Sequence, residues 1–186
     1  VRFLPSGLSR FIQLPLHELT NQRICADEVT NFFDASFAER LCEEDNFGDR
    51  IKIIEELFIK SLYKYDLQTD PQIAFAIEQI NRHQGKLPVQ SLVEDICLCQ
   101  RQFERKFKMN TGYTPKIYSR IMQFKNAVDL LRSATCDNLL STAVHAGYYD
   151  VPHLSREIKR MSGNTPYSFL ALPSPEEEVT LTYVEA

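Results

Sequence analysis

Apolar residues along this chain recur mostly at three- and four-residue intervals, the period of a helix with one buried face. Phe32, Phe33, Phe37 and Leu41 share such a face, and Arg50 to Lys64 carries Ile51, Ile54, Leu57, Phe58 and Leu62 at similar intervals. Leu92 and Ile96 lie one turn apart, and Leu140, Ala143 and Val144 fall on one face of a second short helix. Phe103 with Phe107, and Leu154 with Ile158, repeat the spacing inside two basic runs. From about Pro115 to Ser133 a stripe of Ile121, Phe124, Val128 and Leu131 predicts one long helix of roughly twenty residues, about 30 Å at 1.5 Å per residue. Only the start reads otherwise: Val1 to Gln13 is punctuated by Pro and Gly, and Arg2 to Gly7 looks like the exit from a strand. The predicted class is all-α.

Two stretches end alike. Arg101 to Lys108 is followed by Gly112-Tyr113-Thr114-Pro115, and His153 to Arg160 by Gly163-Asn164-Thr165-Pro166, with the same offset from Phe107 to Gly112 as from Ile158 to Gly163. An internal duplication follows. A short helix precedes each basic run. In the second copy Gly147, four residues after Ala143, suits a helix C-terminus because glycine takes positive φ without penalty. Asp150 then caps a new helix with Pro152 in its first turn, where a missing N–H costs nothing. Helix, tight turn and basic helix make a helix-turn-helix, here present twice and joined by the long helix.

At these residues a family resemblance becomes specific. Leu92 to Thr114, with Gln100-Arg101-Gln102-Phe103-Glu104-Arg105-Lys106-Phe107, resembles the first helix-turn-helix of AraC/XylS-type bacterial transcription regulators. Ala143-Val144-His145-Ala146-Gly147-Tyr148-Tyr149-Asp150, continuing through Arg156 to Pro166, resembles that family's signature more closely. The likeness runs from about Asp70 to Leu172. The first copy departs from the pattern at Val93, where alanine is usual, at Cys97, where a turn glycine is frequent, and at Cys99, where a capping serine is usual. In the second, Val151 and Pro152 replace polar residues. The front of the chain resembles the segment that, in one branch of the family, follows a sensor barrel. If that match holds, the barrel that would precede Val1 is absent from this chain, and an initial valine agrees with a processed or truncated chain. The expected organisation is a helical segment over 1–69, a tandem helix-turn-helix domain over 70–172 and an acidic flexible tail over 173–186.

Charge changes the picture only after the chain is divided. Residues 80–170 hold 13 Lys and Arg against 7 Asp and Glu, whereas residues 1–79 hold 8 against 14, and the tail adds four acids. The net charge of −4 therefore hides a basic module between acidic segments, as a phosphate-binding face requires. A hydrophobic content of 44% over 186 residues allows one or two domains. No apolar run is long enough to cross a bilayer, and the start has no secretory pattern. Five cysteines, at 25, 42, 97, 99 and 136, have no framework spacing, so a reduced cytoplasmic protein is expected. Cys97 and Cys99 are too close for a usual metal knuckle, and His17, His83, His145 and His153 are scattered without ligand or catalytic spacing. Neither enzyme activity, cofactor nor metal is expected.

The expected function is sequence-specific recognition of double-stranded DNA through two reading helices, about Gln100 to Lys108 and about Val151 to Met161, entering successive major-groove segments. With Phe103 and Phe107 inward, Arg101, Glu104 and Arg105 project outward. With Leu154 and Ile158 inward, His153 and Arg156 do the same, His153 having either a base or phosphate contact or a capping and packing role. Gln100, Gln102 and Ser155 stand among them as DNA-facing residues. Lys106, Lys108, Arg120, Lys159 and Arg160 suit phosphates, which position the protein without reading sequence. The resemblance adds RNA polymerase as a partner, and a small-molecule effector acting through a sensor part absent from this chain. A second reading stays open: a helical protein-interaction module, or a regulator fragment that does not itself bind DNA, whose aromatic front of Phe32, Phe33, Phe37, Phe47 and Phe58 is a docking surface instead of core.

Overall fold

The computed structural model describes residues 3–12, 14–29, 33–65, 70–133 and 138–170. Phe32, Cys136 and the acidic tail lie outside the described residues. Among those described, all regular structure is helical: α1 (Ala26–Val29), α2 (Ala35–Glu43), α3 (Phe47–Tyr65), α4 (Pro71–Arg82), α5 (Val89–Asp95), α6 (Gln100–Thr111), α7 (Pro115–Arg132), α8 (Leu139–Ala146), α9 (Val151–Ser162) and α10 (Pro166–Leu170), with single 3-10 turns at Leu8–Arg10 and Leu16–Glu18. The expected strand exit at the start is a turn. The Gly7 amide donates to the Leu4 carbonyl at 2.7 Å, satisfying locally what a strand would have to satisfy with a neighbour.

The helix ends follow the local chemistry. Asp34 accepts from the Phe37 amide at 2.8 Å to open α2, Asn138 from the Ser141 amide at 2.8 Å to open α8, and Asp150 from the His153 amide at 2.7 Å to open α9. Gly112, Gly147 and Gly163 close α6, α8 and α9 with φ of 85°, 81° and 73°. Lys159 and Arg160 occupy the last turn of α9, where the helix dipole favours cations.

The chain forms two compact units, Val1–Phe75 with Cys99–Thr114 and Ala76–Leu98 with Pro115–Ala186, so that α6 goes with the N-terminal segment. In the first unit, Phe103 and Phe107 of α6 are fully buried with their rings 5.6 Å apart. The C-terminus of α6 is tied to the 3-10 turn at Leu16–Glu18: Thr20 Oγ1 donates to the Gly112 carbonyl at 3.2 Å, and a Cβ on Gly112 would stand 2.9 Å from that same oxygen. The aromatic front is partly a core. Phe3, Phe11, Phe33 and Phe58 meet edge-on or tilted at 4.8 to 6.0 Å, and Phe37 packs on Phe33 at 5.6 Å, while Phe47 stays exposed.

The second unit is organised around α7. Phe124, Ala127, Val128 and Leu131 join Ala143 and Ala146 of α8, Tyr148, Leu154, Ile158 and Met161, and Phe169 of α10 in one core, with Ile121 packed at its edge. The stripe expected on the linker helix thus forms the floor of the second motif. One expectation fails here. Leu140 and Val144 do not share the buried face with Ala143: they are 57% and 61% exposed, and Ala143 and Ala146 are buried instead. Two alanines let α8 approach its neighbours more closely than leucine and valine would, so small side chains take the interior face.

Candidate nucleic-acid interface

The first candidate helix, α6, starts at Cys99, whose backbone is extended at φ −72° and ψ 151° and whose amide donates to Gln102 Oε1 at 3.4 Å. The preceding turn runs through Cys97, which holds φ of +52°, a left-handed conformation that costs a side chain with a Cβ roughly 1 to 2 kcal/mol. Glycine at 97 removes that strain, and serine at 99 supplies a stronger cap. Both thiols are exposed. Cys97→Gly and Cys99→Ser are each expected to stabilise the protein by up to about 1 kcal/mol, seen as higher melting temperatures. A fall in melting temperature for both would contradict the turn and cap assignments.

With Phe103 and Phe107 turned inward, Arg101, Gln102, Arg105 and Lys108 are exposed, and Gln100 Nε2 donates to Glu104 Oε1 at 2.9 Å one turn along. On α9, Leu154, Ile158 and Met161 are buried. Arg156, Lys159 and Arg160 are exposed and Ser155 is half-buried. Among the described residues none of Arg101, Arg105, Arg156, Lys159 and Arg160 is in an ion pair, the nearest fixed contact being Arg156 Nε to the Pro152 carbonyl at 3.3 Å. Each helix thus presents exposed arginines that are in no ion pair among the described residues, the Nη donors of Arg156 remaining open to a ligand.

Three expected contacts have partners inside the protein. Lys106 Nζ donates to Asp70 Oδ2 at 3.0 Å and Gln72 Oε1 at 3.1 Å. Arg120 donates from Nη2 and Nε to Glu157 Oε2 at 2.6 and 3.1 Å, with both side chains largely shielded from solvent. This pair fastens α7 to α9. His153 stands edge-on to the Tyr148 ring at 5.3 Å and its Nδ1 accepts from the Tyr149 amide at 3.4 Å, so of its two readings the packing and capping one has the geometry. Burial pushes the Tyr148 hydroxyl pKa far up, with the Glu157 charge adding and Arg120 opposing.

Other residues at the site were not foreseen. Of the adjacent pair Tyr148 and Tyr149, the first is buried and the second is 90% exposed in the turn ahead of α9. No periodicity distinguishes two tyrosines in a four-residue turn. Lys86 and Gln123 reach the same turn from outside the motif: Lys86 Nζ donates to the His145 carbonyl at 3.2 Å, and Gln123 Nε2 to the carbonyls of Gly147 and Ala146 at 3.1 and 3.4 Å. Among the described residues no cluster of three His, Cys, Asp or Glu is placed to hold a metal ion, and no helix is long and apolar enough to cross a membrane.

Comparison with known proteins gives three results. A family model described as a helix-turn-helix domain matches residues 92–171. Of solved structures, a xylose-binding transcription activator is similar at 22% identity with a TM-score of 0.52, covering 58% of this chain and 28% of its own. The DNA-binding domain of AdpA, a global transcriptional factor solved in complex with a target DNA, is similar at 22% identity with a TM-score of 0.50, covering 55% of this chain and 92% of its own. These likenesses are of fold. This chain therefore spans little more than a quarter of the length of the activator. No curated protein matches the sequence.

Proposed function

We propose that this chain, whose residues 92–171 match a helix-turn-helix family model, is a sequence-specific DNA-binding transcription regulator of the AraC/XylS type that reads duplex DNA through α6 and α9. The observation that carries the reading is the repeated arrangement of α6 and α9: each is framed by a cap and a left-handed glycine, buries its apolar side, and turns outward arginines that are in no ion pair among the described residues. A guanidinium can donate two parallel bonds to guanine O6 and N7, which makes Arg101, Arg105 and Arg156 the base-reading candidates, with Gln100, Gln102, Glu104 and Ser155 beside them. Lys108, Lys159 and Arg160 are placed at or towards the C-terminal halves of their helices and serve phosphates. Lys106, Arg120 and His153 support the scaffold in this reading.

The DNA-binding part is proposed to lie within 70–172, in a cytoplasmic protein. RNA polymerase and a small-molecule effector are its proposed further partners. Selection of bound fragments from a random duplex pool tests the reading and returns the site at once. The expected result is an enriched sequence with two short conserved blocks, about one helical turn apart, bound with a steep salt dependence of roughly −0.9 in log K per log salt for each phosphate neutralised. No enrichment and no binding at low salt would leave the helical interaction module as the better account.

A further inference from the structure

The end of α8 and the turn that follows are held by two side chains that belong to neither helix-turn-helix motif. The last carbonyls of a helix lack intrahelical donors. Here those of His145, Ala146 and Gly147 receive theirs from Lys86 Nζ and Gln123 Nε2, at 3.2, 3.4 and 3.1 Å. The amides of Gly147 and Tyr148 turn back to Val144 and Ala143 at 3.0 and 2.8 Å, which closes the helix. Lys86 lies directly across the glycine: a Cβ at 147 would come within 2.8 Å of Lys86 Cγ and 3.1 Å of Gln123 Nε2. Lys86 itself is placed by its neighbour, since Gly85 at φ +75° abuts the Ser119 carbonyl and the Gln123 amide on α7.

Only four residues, Gly147 to Asp150, separate α8 from α9, and Asp150 is the cap that fixes the first turn of α9. Placing three consecutive carbonyls at the end of α8 therefore places the start of α9. We infer that Lys86 and Gln123 are positioning residues for the second reading helix: they touch no base, and they set the angle at which the N-terminal turn of α9, with Arg156 behind it, enters the groove. The inference rests on the DNA-reading function proposed above. The cation has a further reason to be there, because a positive charge at a helix C-terminus is favoured by the helix dipole.

The test uses the full chain and the duplex recovered by selection. Lys86→Met and Gln123→Leu, singly and together, are compared with Lys86→Arg, in which a charged donor persists. In the free proteins, amide exchange is expected to quicken at Gly147 and Tyr148 in Lys86→Met and the double variant, and to stay near the parent rate in Lys86→Arg. On DNA, the double variant is expected to lose about tenfold in affinity, the equivalent of roughly 1.4 kcal/mol for lost fixed hydrogen bonds. The loss should fall on base discrimination in the block read by α9, with the other block and the salt slope unchanged, and Lys86→Arg should restore most of it. A salt slope shallower by about one with base preference intact would make Lys86 a phosphate contact and overturn the inference. So would unchanged exchange and unchanged discrimination in a parent that binds its site. A parent chain that binds no duplex at all is the different failure, that of the DNA-reading function itself.

Discussion

Replacing Arg105 or Arg156 by Ala is expected to weaken binding to the selected duplex by roughly 1 to 3 kcal/mol, about five- to more than hundredfold, and to relax preference at one or two base pairs in one block only. The two residues hold like positions in the repeated motifs, two before Phe107 and two before Ile158, so each exposed guanidinium points away from a fully buried apolar partner. Neither is in an ion pair among the described residues, and truncation therefore leaves no charge stranded inside the protein. The effect should be on recognition and not on stability. Lys159→Ala and Arg160→Ala provide the contrast, with a more uniform loss across sequences and a shallower salt slope. Quantitative binding to the selected site and to single-base variants measures both. If affinity and base preference survive in both arginine variants, neither residue reads a base.

The second large effect is on folding. Gly85→Ala is expected to cost about 2 to 5 kcal/mol, combining the left-handed backbone at roughly 1 to 2 kcal/mol with the overpacking of a methyl into occupied space at about 1 to 3 kcal/mol. The new Cβ would lie 2.0 Å from the Ser119 carbonyl oxygen and 2.8 Å from the Gln123 amide, both backbone atoms of α7 that cannot step aside without moving the helix. Gly163→Ala separates the two contributions. Its φ is +73° but nothing lies within 4 Å of the added carbon, so it should pay the backbone cost alone, about 1 to 2 kcal/mol. Thermal unfolding of the two variants beside the parent decides the matter: equal melting temperatures for Gly85→Ala and Gly163→Ala would mean that the close approach of residue 85 to α7 does not exist.

The difference between these two glycines marks the limit of what the amino-acid sequence discloses. Gly112, Gly147 and Gly163 could be assigned to helix ends from the apolar spacing before them and the Thr-Pro or capping residue after them, and all three adopt left-handed backbone. Gly85 follows the end of α4 with no such punctuation. Its requirement for glycine comes from α7, more than thirty positions along the chain. Cys97 was legible as a poor turn residue and carries positive φ; Ile121, Phe124, Val128 and Leu131 were legible as one apolar stripe of a long helix, and their packing on the second motif came from the fold.

Sequence alone determined what is decided within about one helical turn: the all-helical class, the two basic helices and their inward faces, the cap at Asp150, and the repeat that discloses two motifs. These depend on hydrogen bonds and side-chain spacings three or four residues apart, which the order of residues contains directly. Tertiary structure alone decided which cations are open to a ligand and which are already held. Lys106 and Arg120 look like Arg105 and Arg156 in the sequence, yet the first is held by Asp70 and Gln72 and the second by Glu157, partners 34 to 37 positions away. It also turned Leu140 and Val144 outward in favour of two alanines, buried Tyr148 and exposed Tyr149, and brought Lys86 and Gln123 to the second turn. Each of those outcomes depends on which surfaces the folded chain presses together, and a charge or a methyl group has no preferred partner until that packing supplies one.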